Sequence, residues 1–119
     1  MVLVISLSGI QGSGKKTIAN HFMEKHGFKY ITYDSLIINN FDLSLSNNYI
    51  LIDVKKLVQV KELQAKFGTS YHSFYIKRIT HKSFNEIQPQ FCDIIIDNTN
   101  DIETTFKKID DILLNEIKN

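Results

Sequence analysis

The sequence predicts a three-layer α/β domain in which helices flank a parallel sheet of five strands. Short apolar runs alternate with helical patterns along the 119 residues, and this alternation is typical of parallel strands joined by right-handed crossovers. A turn that holds three of the chain's five glycines joins the first apolar run to the first helical pattern. We expect a chain of this length to form one domain, spanning residues 1–119, around a single modest core.

Periodicity and helix-ending residues place the elements along the chain. Apolar residues run continuously or alternate in the segments expected to be strands, which are residues 2–8, 28–33, 49–54, 72–78 and 91–97. Helical patterns predict three long helices at residues 15–26, 55–67 and 102–118. Gly27 and Gly68 follow the first two of these, at the position where glycine commonly ends a helix. Asp34 and Ser35 are expected where the second strand turns into a short helix.

Composition excludes several classes of protein. The formal net charge of +1 gives no general attraction for nucleic acid or for a membrane surface. No apolar run reaches the length of a transmembrane helix, and the first residues indicate a strand because they lack the basic region of a signal peptide. Cys92 is the single cysteine, so we expect a small buried hydrophobe, no internal disulfide, and a reducing, cytoplasmic setting.

The glycine-rich turn has the pattern of a phosphate-binding loop. Strand, glycine turn and helix follow one another, and Gly9, Gly14 and Lys15 fit the spacing G-x-x-x-x-G-K-[ST]. Glycines such as Gly12 let successive N–H groups, including that of Ser13, point inward around an anion. The helix that starts near Lys15 adds its own free N–H groups and dipole, and the ammonium can reach a terminal phosphate.

The last position of this pattern is not matched. Lys16 stands where Ser or Thr normally binds Mg²⁺, and Thr17 comes one residue late. The magnesium ligand is therefore either lost or supplied by a displaced threonine, and Lys16 either strengthens anion binding or repels Mg²⁺. A glycine-rich turn that binds no ligand is the structural alternative.

The residues of this region resemble a known family. Residues 5–19, residues 24–28 and the segment Tyr33-Asp34-Ser35-Leu36 resemble the N-terminus of P-loop nucleoside monophosphate kinases, most of all those of phages and viruses that act on deoxynucleotides. The resemblance implies a P-loop NTPase fold with strand order 2-3-1-4-5. It also implies ATP and Mg²⁺ as cofactors, with the displaced Thr17 as a metal ligand, and a location in the host cytoplasm or virion. The family's helical insertion for the acceptor nucleotide is missing, because residues 39–48 form only a short polar loop.

Two aspartates follow predicted strands at the edge where this fold binds ligands. Asp34 either caps the short helix or, as the resemblance implies, positions the acceptor or a metal-bound water. Asp53 ends a buried strand and is expected to assist Mg²⁺ together with Thr17, or else to act as a helix cap. The relatives have Asp-Val-Arg at this point, whereas this chain has Asp53-Val54-Lys55, which keeps the charge but loses the bidentate fork.

Residues after the last two strands complete the candidate site. Arg78 is the only arginine, and it is expected either to neutralise charge in phosphoryl transfer or to form a surface ion pair. Asn98 lies in a segment that resembles the family's loop against the donor adenine, and Asn100 or Asp101 is expected to cap the following helix. His21 and His26 have no metal-ligand partner at i+4 and are expected at the surface or at the edge of the core. His81 lies in a segment that loosely resembles the Asp-His-x-Ser-Glu stretch of the viral kinases without its first acidic residue, so we expect a loop histidine rather than a catalyst.

Three functions remain open at this point. The first is ATP-dependent phosphoryl transfer to a nucleoside or deoxynucleoside monophosphate, with Lys15, Asp34 and Arg78 as catalytic residues and with help from Lys16 and Lys55. The second is a nucleotide-binding domain that no longer transfers phosphate, and the third is a structural or virion interaction protein of the same fold. The expected partner is a nucleotide rather than a membrane or a nucleic acid, and a homodimer or larger assembly could supply missing arginines.

Overall fold

The computed structural model describes residues 3–9, 13–38, 47–78, 87 and 89–117. Residues 38, 116 and 117 are described by their backbone only. The strands are β1 (Val4–Ser8), β2 (Lys29–Tyr30), β3 (Tyr49–Leu51), β4 (Tyr71–Lys77) and β5 (Ile94–Asp97). The helices are α1 (Lys15–His26), α2 (Tyr33–Ile38), α3 (Leu57–Phe67) and α4 (Ile102–Ile112). Single 3₁₀ turns precede β4 and β5, and a π-helical turn, Leu113–Ile117, continues α4.

The five strands form one parallel sheet in the order β2-β3-β1-β4-β5, which confirms the predicted class and strand order. β1 lies at the centre, and all five of its residues are buried. It pairs with β3 from Val4 to Ser6 and with β4 from Val4 to Ser8. Because the strands are parallel, β1, β3, β4 and β5 all end at the same edge of the sheet, which is the edge that the glycine loop leaves.

Helices cover both faces of the sheet, as the three-layer prediction requires. Alternate residues of a strand point to opposite faces, so Ile5 and Leu7 pack beneath α1 and α4 while Val4 packs beneath α2 and α3. Phe22 of α1 is fully buried in the first core, and Leu63 of α3 is fully buried in the second. These two cores hold β1 in place between the helical layers, and with it the start of the glycine loop.

Four strands are shorter than the sequence predicts. β1 begins at Val4 instead of residue 2. β2 covers only two of the predicted residues 28–33, because it is an edge strand that pairs with β3 alone. β3 ends at Leu51 rather than at residue 54, since the Asp53 carboxylate is bound to the start of α2. β5 begins at Ile94 instead of residue 91, because Pro89–Phe91 forms a 3₁₀ turn and the half-buried Cys92 lies in the connection.

Candidate functional site

The loop between β1 and α1 begins and ends with glycines that no other residue can replace without strain. Gly9 has a φ of 146°, and a Cβ there would lie 2.5 Å from the carbonyl oxygen of Ile76. Gly14 has a φ of 95°, and its Cβ would lie 2.5 Å from Nδ2 of Asn98. Both backbones are thus in a region that favours glycine, and both press against neighbouring elements. The predicted loop residue Gly12 lies outside the described residues.

Asn98 clamps the loop to the rest of the sheet edge. Its Nδ2 donates to the carbonyl oxygen of Ser13 at 2.8 Å, and its Oδ1 accepts from the hydroxyl of Thr105 at 2.7 Å. Its own backbone N–H donates to the carbonyl of Lys77, so the turn after β5 is joined to β4 as well. Asn98 is buried, with 3% of its surface exposed, and both ends of its amide are engaged. The structure therefore places this predicted cofactor-binding residue behind the loop, as its support.

Lys15 folds back across the loop that it ends. Its Nζ donates a hydrogen bond to the carbonyl oxygen of Gly9, so the first residue of α1 reaches the first residue of the loop. Burial lowers the pKa of the Lys15 ammonium, and the nearby charge of Lys55 lowers it further. A partly dehydrated cation beside a second cation is electrostatically unfavourable, and an anion at this place would relieve the repulsion.

The N-terminus of α1 offers donors and no acidic side chain. Gly14 makes no side-chain cap, and the first turn of α1 contains no Asp or Glu, so α1 itself places no carboxylate at the positive end of its dipole. The Oγ of Ser13 is buried with no hydrogen-bond partner among the described residues. Lys16 and Thr17 are exposed in the same first turn. The site therefore combines unused donors with positive charge, which is the chemistry of anion binding.

The two predicted aspartates have different positions. Asp53 follows β3, and its two carboxylate oxygens accept from the backbone N–H of Tyr33 at 3.0 and 3.1 Å, so it caps α2. Asp34 lies inside the first turn of α2 and is exposed, and the second cap of that helix is the Thr32 hydroxyl, which accepts from the N–H of Ser35. Asp53 thus acts as a helix cap, but of α2 and not of the helix that follows it in the chain, whereas the capping interpretation is wrong for Asp34.

Residues beyond the strand ends collect on the same edge. The hydroxyl of Ser8 donates to the carbonyl of Val54 at 3.3 Å, which brings the residues after β3 to the start of the glycine loop. Lys55 follows directly, in agreement with its effect on Lys15. Arg78 follows the last residue of β4 and is exposed. Hydrogen bonds therefore join Asn98 to one end of the loop and Val54 to the other, and the charge of Lys55 acts on Lys15. Asp53 is bound to Tyr33 instead, and Arg78 is exposed at the same edge of the sheet.

Some supporting residues have no signal in the sequence. Thr105 of α4 has a buried hydroxyl that orients Asn98, and the hydroxyl of Ser8 links two strand ends. In the sequence, both residues look like ordinary helix or strand residues. Asp101 accepts from the N–H of Thr104 at 2.9 Å and caps α4, as the sequence predicts for one of two candidates. The loop predicted for residues 39–48 lies largely outside the described residues, as does His81.

Comparisons with known proteins identify the fold. No protein-family model matches this chain, and no curated protein matches it significantly. An APS kinase of Mycobacterium tuberculosis, solved as a mutant, is similar over 94% of this chain and 96% of its own, with a TM-score of 0.65 and 16% sequence identity. A gluconokinase from Sinorhizobium meliloti is similar over 66% of this chain and 58% of its own, with a TM-score of 0.46 and 13% identity.

The first of these likenesses shows that the chain has a P-loop kinase fold, and at its level of identity it shows the fold alone. The second is too distant to support an argument. Within the described residues, no helix has the length and apolar character needed to cross a bilayer.

Proposed function

We propose that this chain binds the phosphates of ATP in the loop from Gly9 to Lys15 and transfers the terminal phosphoryl group to a nucleoside or deoxynucleoside monophosphate. The observation that carries the proposal is the position of Lys15, half-buried across the mouth of a loop closed by two obligate glycines. Lysine at this place supplies the point charge that a terminal phosphate needs. The charges of Lys15 and Lys55 oppose each other, and an anion in the loop would offset that repulsion.

The residues present fit a bound triphosphate. The Oγ of Ser13, which has no hydrogen-bond partner among the described residues, offers a donor, and the N-terminus of α1 adds the positive end of its dipole. No carboxylate in the first turn of α1 competes with an anion. The bare Cα of Gly9 and Gly14 allows the backbone to approach closely, since a side chain would strike Ile76 or Asn98. The clamp of Asn98 fixes the carbonyl of Ser13 beside the start of α1, so the Ser13 end of the loop is held in place before the ligand arrives.

Each candidate residue has a distinct task in this proposal. Thr17, exposed in the first turn of α1, and Asp53, at the end of β3, would hold Mg²⁺ directly or through water. When bound, Mg²⁺ neutralises charge on the phosphate oxygens. Lys15 binds and orients the terminal phosphate, Lys16 and Lys55 add positive potential, and Arg78 would neutralise the oxygens of the transferred group. Asp34, exposed on α2, would orient the acceptor.

A second candidate function is nucleotide binding without transfer. Arg78 is the chain's only arginine and it is exposed, whereas phosphoryl transfer usually draws on several fixed cations. Both oxygens of Asp53 already accept from Tyr33, so part of their capacity for a metal or its water is used. These observations favour a domain that retains the phosphate loop and has lost the arrangement for catalysis.

Calorimetric titration of ATP with Mg²⁺ into the protein tests the proposed site. We expect saturable binding to the wild type and an affinity loss of about tenfold to a hundredfold in Lys15→Ala, since a charged hydrogen bond contributes about 1.5–3 kcal/mol. Lys61→Ala is the matched control, because Lys61 is exposed on α3, and it should leave the affinity unchanged.

A coupled assay for ADP formation with a panel of monophosphates separates the two functions. Acceptor-dependent turnover that disappears in Lys15→Ala supports the kinase, and saturable binding with no turnover on any acceptor supports the binding domain. Absence of binding at millimolar ATP would contradict both.

A further inference from the structure

A second cluster of chemically active side chains lies at the opposite end of α1, away from the loop. His21 and His26 of α1 both meet Asp110 of α4: Nε2 of His21 lies 2.8 Å and Nε2 of His26 lies 2.7 Å from the same oxygen, Oδ1. We call these three residues the histidine–aspartate cluster. One donor atom from each side chain lies within 4.8 Å of the other two, the only group of three such residues among those described.

We propose that the histidine–aspartate cluster binds a divalent transition-metal ion of the Zn²⁺ class. Two imidazoles and one carboxylate are a donor set that suits Zn²⁺, Co²⁺ and Ni²⁺, whereas Mg²⁺ and Ca²⁺ prefer oxygen ligands alone. Three protein ligands leave at least one coordination position for water. This inference is independent of the nucleotide site, because none of the three residues belongs to the loop or to the strand ends.

The geometry of the cluster is close to what a metal needs. A carboxylate oxygen can only accept, so each imidazole must donate its Nε2 hydrogen to Oδ1 in the metal-free protein. One ion would replace these two shared hydrogens. Bond lengths of about 2.0–2.2 Å and tetrahedral angles set neighbouring ligand atoms about 3.3–3.5 Å apart, so each pair now at 2.7–2.8 Å opens by roughly 0.6 Å.

Neighbouring groups already orient the ligands. The ring of His21 stacks on Phe106 with centroids 4.0 Å apart and planes 4° from parallel, which limits its rotation. Nζ of Lys25 donates to Oδ2 of Asp110 at 2.6 Å, so the carboxylate is fixed through one oxygen and presents the other to the histidines. Such outer contacts typically hold metal ligands in their binding orientation.

The cluster is also accessible to an ion. The side chains of His21, His26 and Asp110 are 11%, 23% and 23% exposed, so they are partly buried but still reach water. A surface pocket of about 510 Å³ borders His21 and Asp110 and gives a path of entry. A bound ion would replace hydrogen bonds between α1 and α4 by metal bonds and would fasten the helix that begins at the phosphate loop to the last helix.

The test uses untagged protein freed of metal with a chelator and kept without nucleotide. We expect one Zn²⁺ per chain in calorimetry, a higher unfolding temperature with Zn²⁺ than with chelator, and visible absorption of the Co²⁺ complex with the intensity of a four- or five-coordinate site. His26→Gln, which keeps a polar side chain, should weaken Zn²⁺ binding by about tenfold or more. Mg²⁺ at the same concentration should not compete.

Two matched variants make the result specific. His72→Gln removes a histidine of β4 outside the cluster and should leave Zn²⁺ binding unchanged, and so should Lys15→Ala in the loop. Zn²⁺ binding that is absent in the wild type, or that is unchanged in His26→Gln, would overturn the proposal and leave the cluster as a hydrogen-bonded link between two helices. Should His26→Gln fold poorly, Asp110→Asn provides the same test from α4.

Discussion

The two ends of α1 attract opposite charges. At the N-terminus, Gly14 leaves the first N–H groups without a side-chain cap, the first turn contains no acidic residue, and Lys15 adds a cation. At the C-terminus, Lys25 and His26 stand in the last turn around the carboxylate of Asp110. The cations of the last turn suit the negative end of the helix dipole, whereas the positive end has Lys15 beside it and would be neutralised by an anion.

The comparison also separates two ways of building a site. The N-terminal site consists mainly of one continuous segment, residues 9–17, in which Gly9 and Gly14 supply backbone conformations that favour glycine. The C-terminal site joins residues that are 84 and 89 positions apart, and packing of α4 against α1 creates it. A contiguous motif is visible in a sequence, whereas a contact between two helices appears only in the fold.

The largest expected effect comes from the clamp behind the loop. Asn98→Ala leaves the carbonyl of Ser13 without its partner and opens a cavity beside Thr105, so we expect a loss of roughly 2–4 kcal/mol in unfolding free energy and weaker ATP binding. Chemical denaturation measures the first effect and calorimetry the second. Asn100→Ala, at an exposed neighbouring position, should stay within about 0.5 kcal/mol, and an equal loss in both variants would contradict the assigned role.

The glycines at the two ends of α1 allow a direct comparison. Gly27 has a φ of 72°, and a Cβ there would meet nothing within 4 Å, so Gly27→Ala should cost only the backbone strain of about 1 kcal/mol. Gly14→Ala adds the collision with Asn98 and should cost about 1–2 kcal/mol more, with loss of ATP binding. Equal costs in denaturant melts would mean that the loop does not press against Asn98.

The C-terminal cluster should contribute to stability in a pH-dependent way. Partial burial alone would raise the pKa of the Asp110 carboxyl, but hydrogen bonds from Lys25, His26 and His21 hold that pKa well below its usual range. Because the folded-state pKa is the lower one, the stabilisation is present above the unfolded pKa near 3.9 and is lost as pH falls toward the folded value.

Asp110→Asn should therefore lower the unfolding free energy of metal-free protein by about 1 kcal/mol at pH 7. As the pH falls below 4, the variant should lose less unfolding free energy than the wild type. Asp111→Asn, at the exposed adjacent position, is the control for a general charge effect. Parallel pH profiles for the wild type and Asp110→Asn would contradict this assignment.

The smallest effect concerns the coupling of two lysines at the loop. After burial, the charge of Lys55 is the second cause of the lowered pKa of Lys15. ATP binding should weaken as pH rises through that pKa, because the ammonium loses its proton. In Lys55→Ala, the pH at which the affinity for ATP falls should be higher by a fraction of a pH unit, whatever the substitution does to the affinity at neutral pH. If calorimetric titrations find this pH unchanged, the two ammonium groups do not interact.

Much of the fold and of the loop could be predicted from the sequence. The strand order agrees with the prediction, but it was implied by the family resemblance and not by a local pattern. The bounds of α1 also agree, because apolar periodicity and the glycines at 14 and 27 act locally. The same locality explains why the sequence places Lys15 at the loop. Strand lengths were harder, since β3 ends where the Asp53 carboxylate binds the backbone N–H of Tyr33 across the sheet edge.

The remaining site residues depend on contacts that no local pattern encodes. The amide of Asn98 is placed behind the loop by Thr105, seven residues later on a helix, so the sequence indicates the strand-end position but not the role. The histidines of α1 are spaced i and i+5, which is not the i, i+4 spacing of a helical metal pair, and Asp110 joins them only after α4 packs on the sheet. The sequence predicts both histidines at the surface or at the edge of the core, where they lie, but it gives no signal of their shared contact with Asp110.

Thermal unfolding of metal-free protein with and without ATP and Mg²⁺, in the wild type and in variants of each end of α1, tests the central claim most directly. At a hundredfold excess over the dissociation constant, ATP should stabilise the wild type and His26→Gln equally, by about 2.7 kcal/mol, and should not stabilise Lys15→Ala. No stabilisation of the wild type at millimolar ATP, or equal stabilisation of Lys15→Ala, would contradict the claim that the loop at the N-terminus of α1 is a nucleotide site.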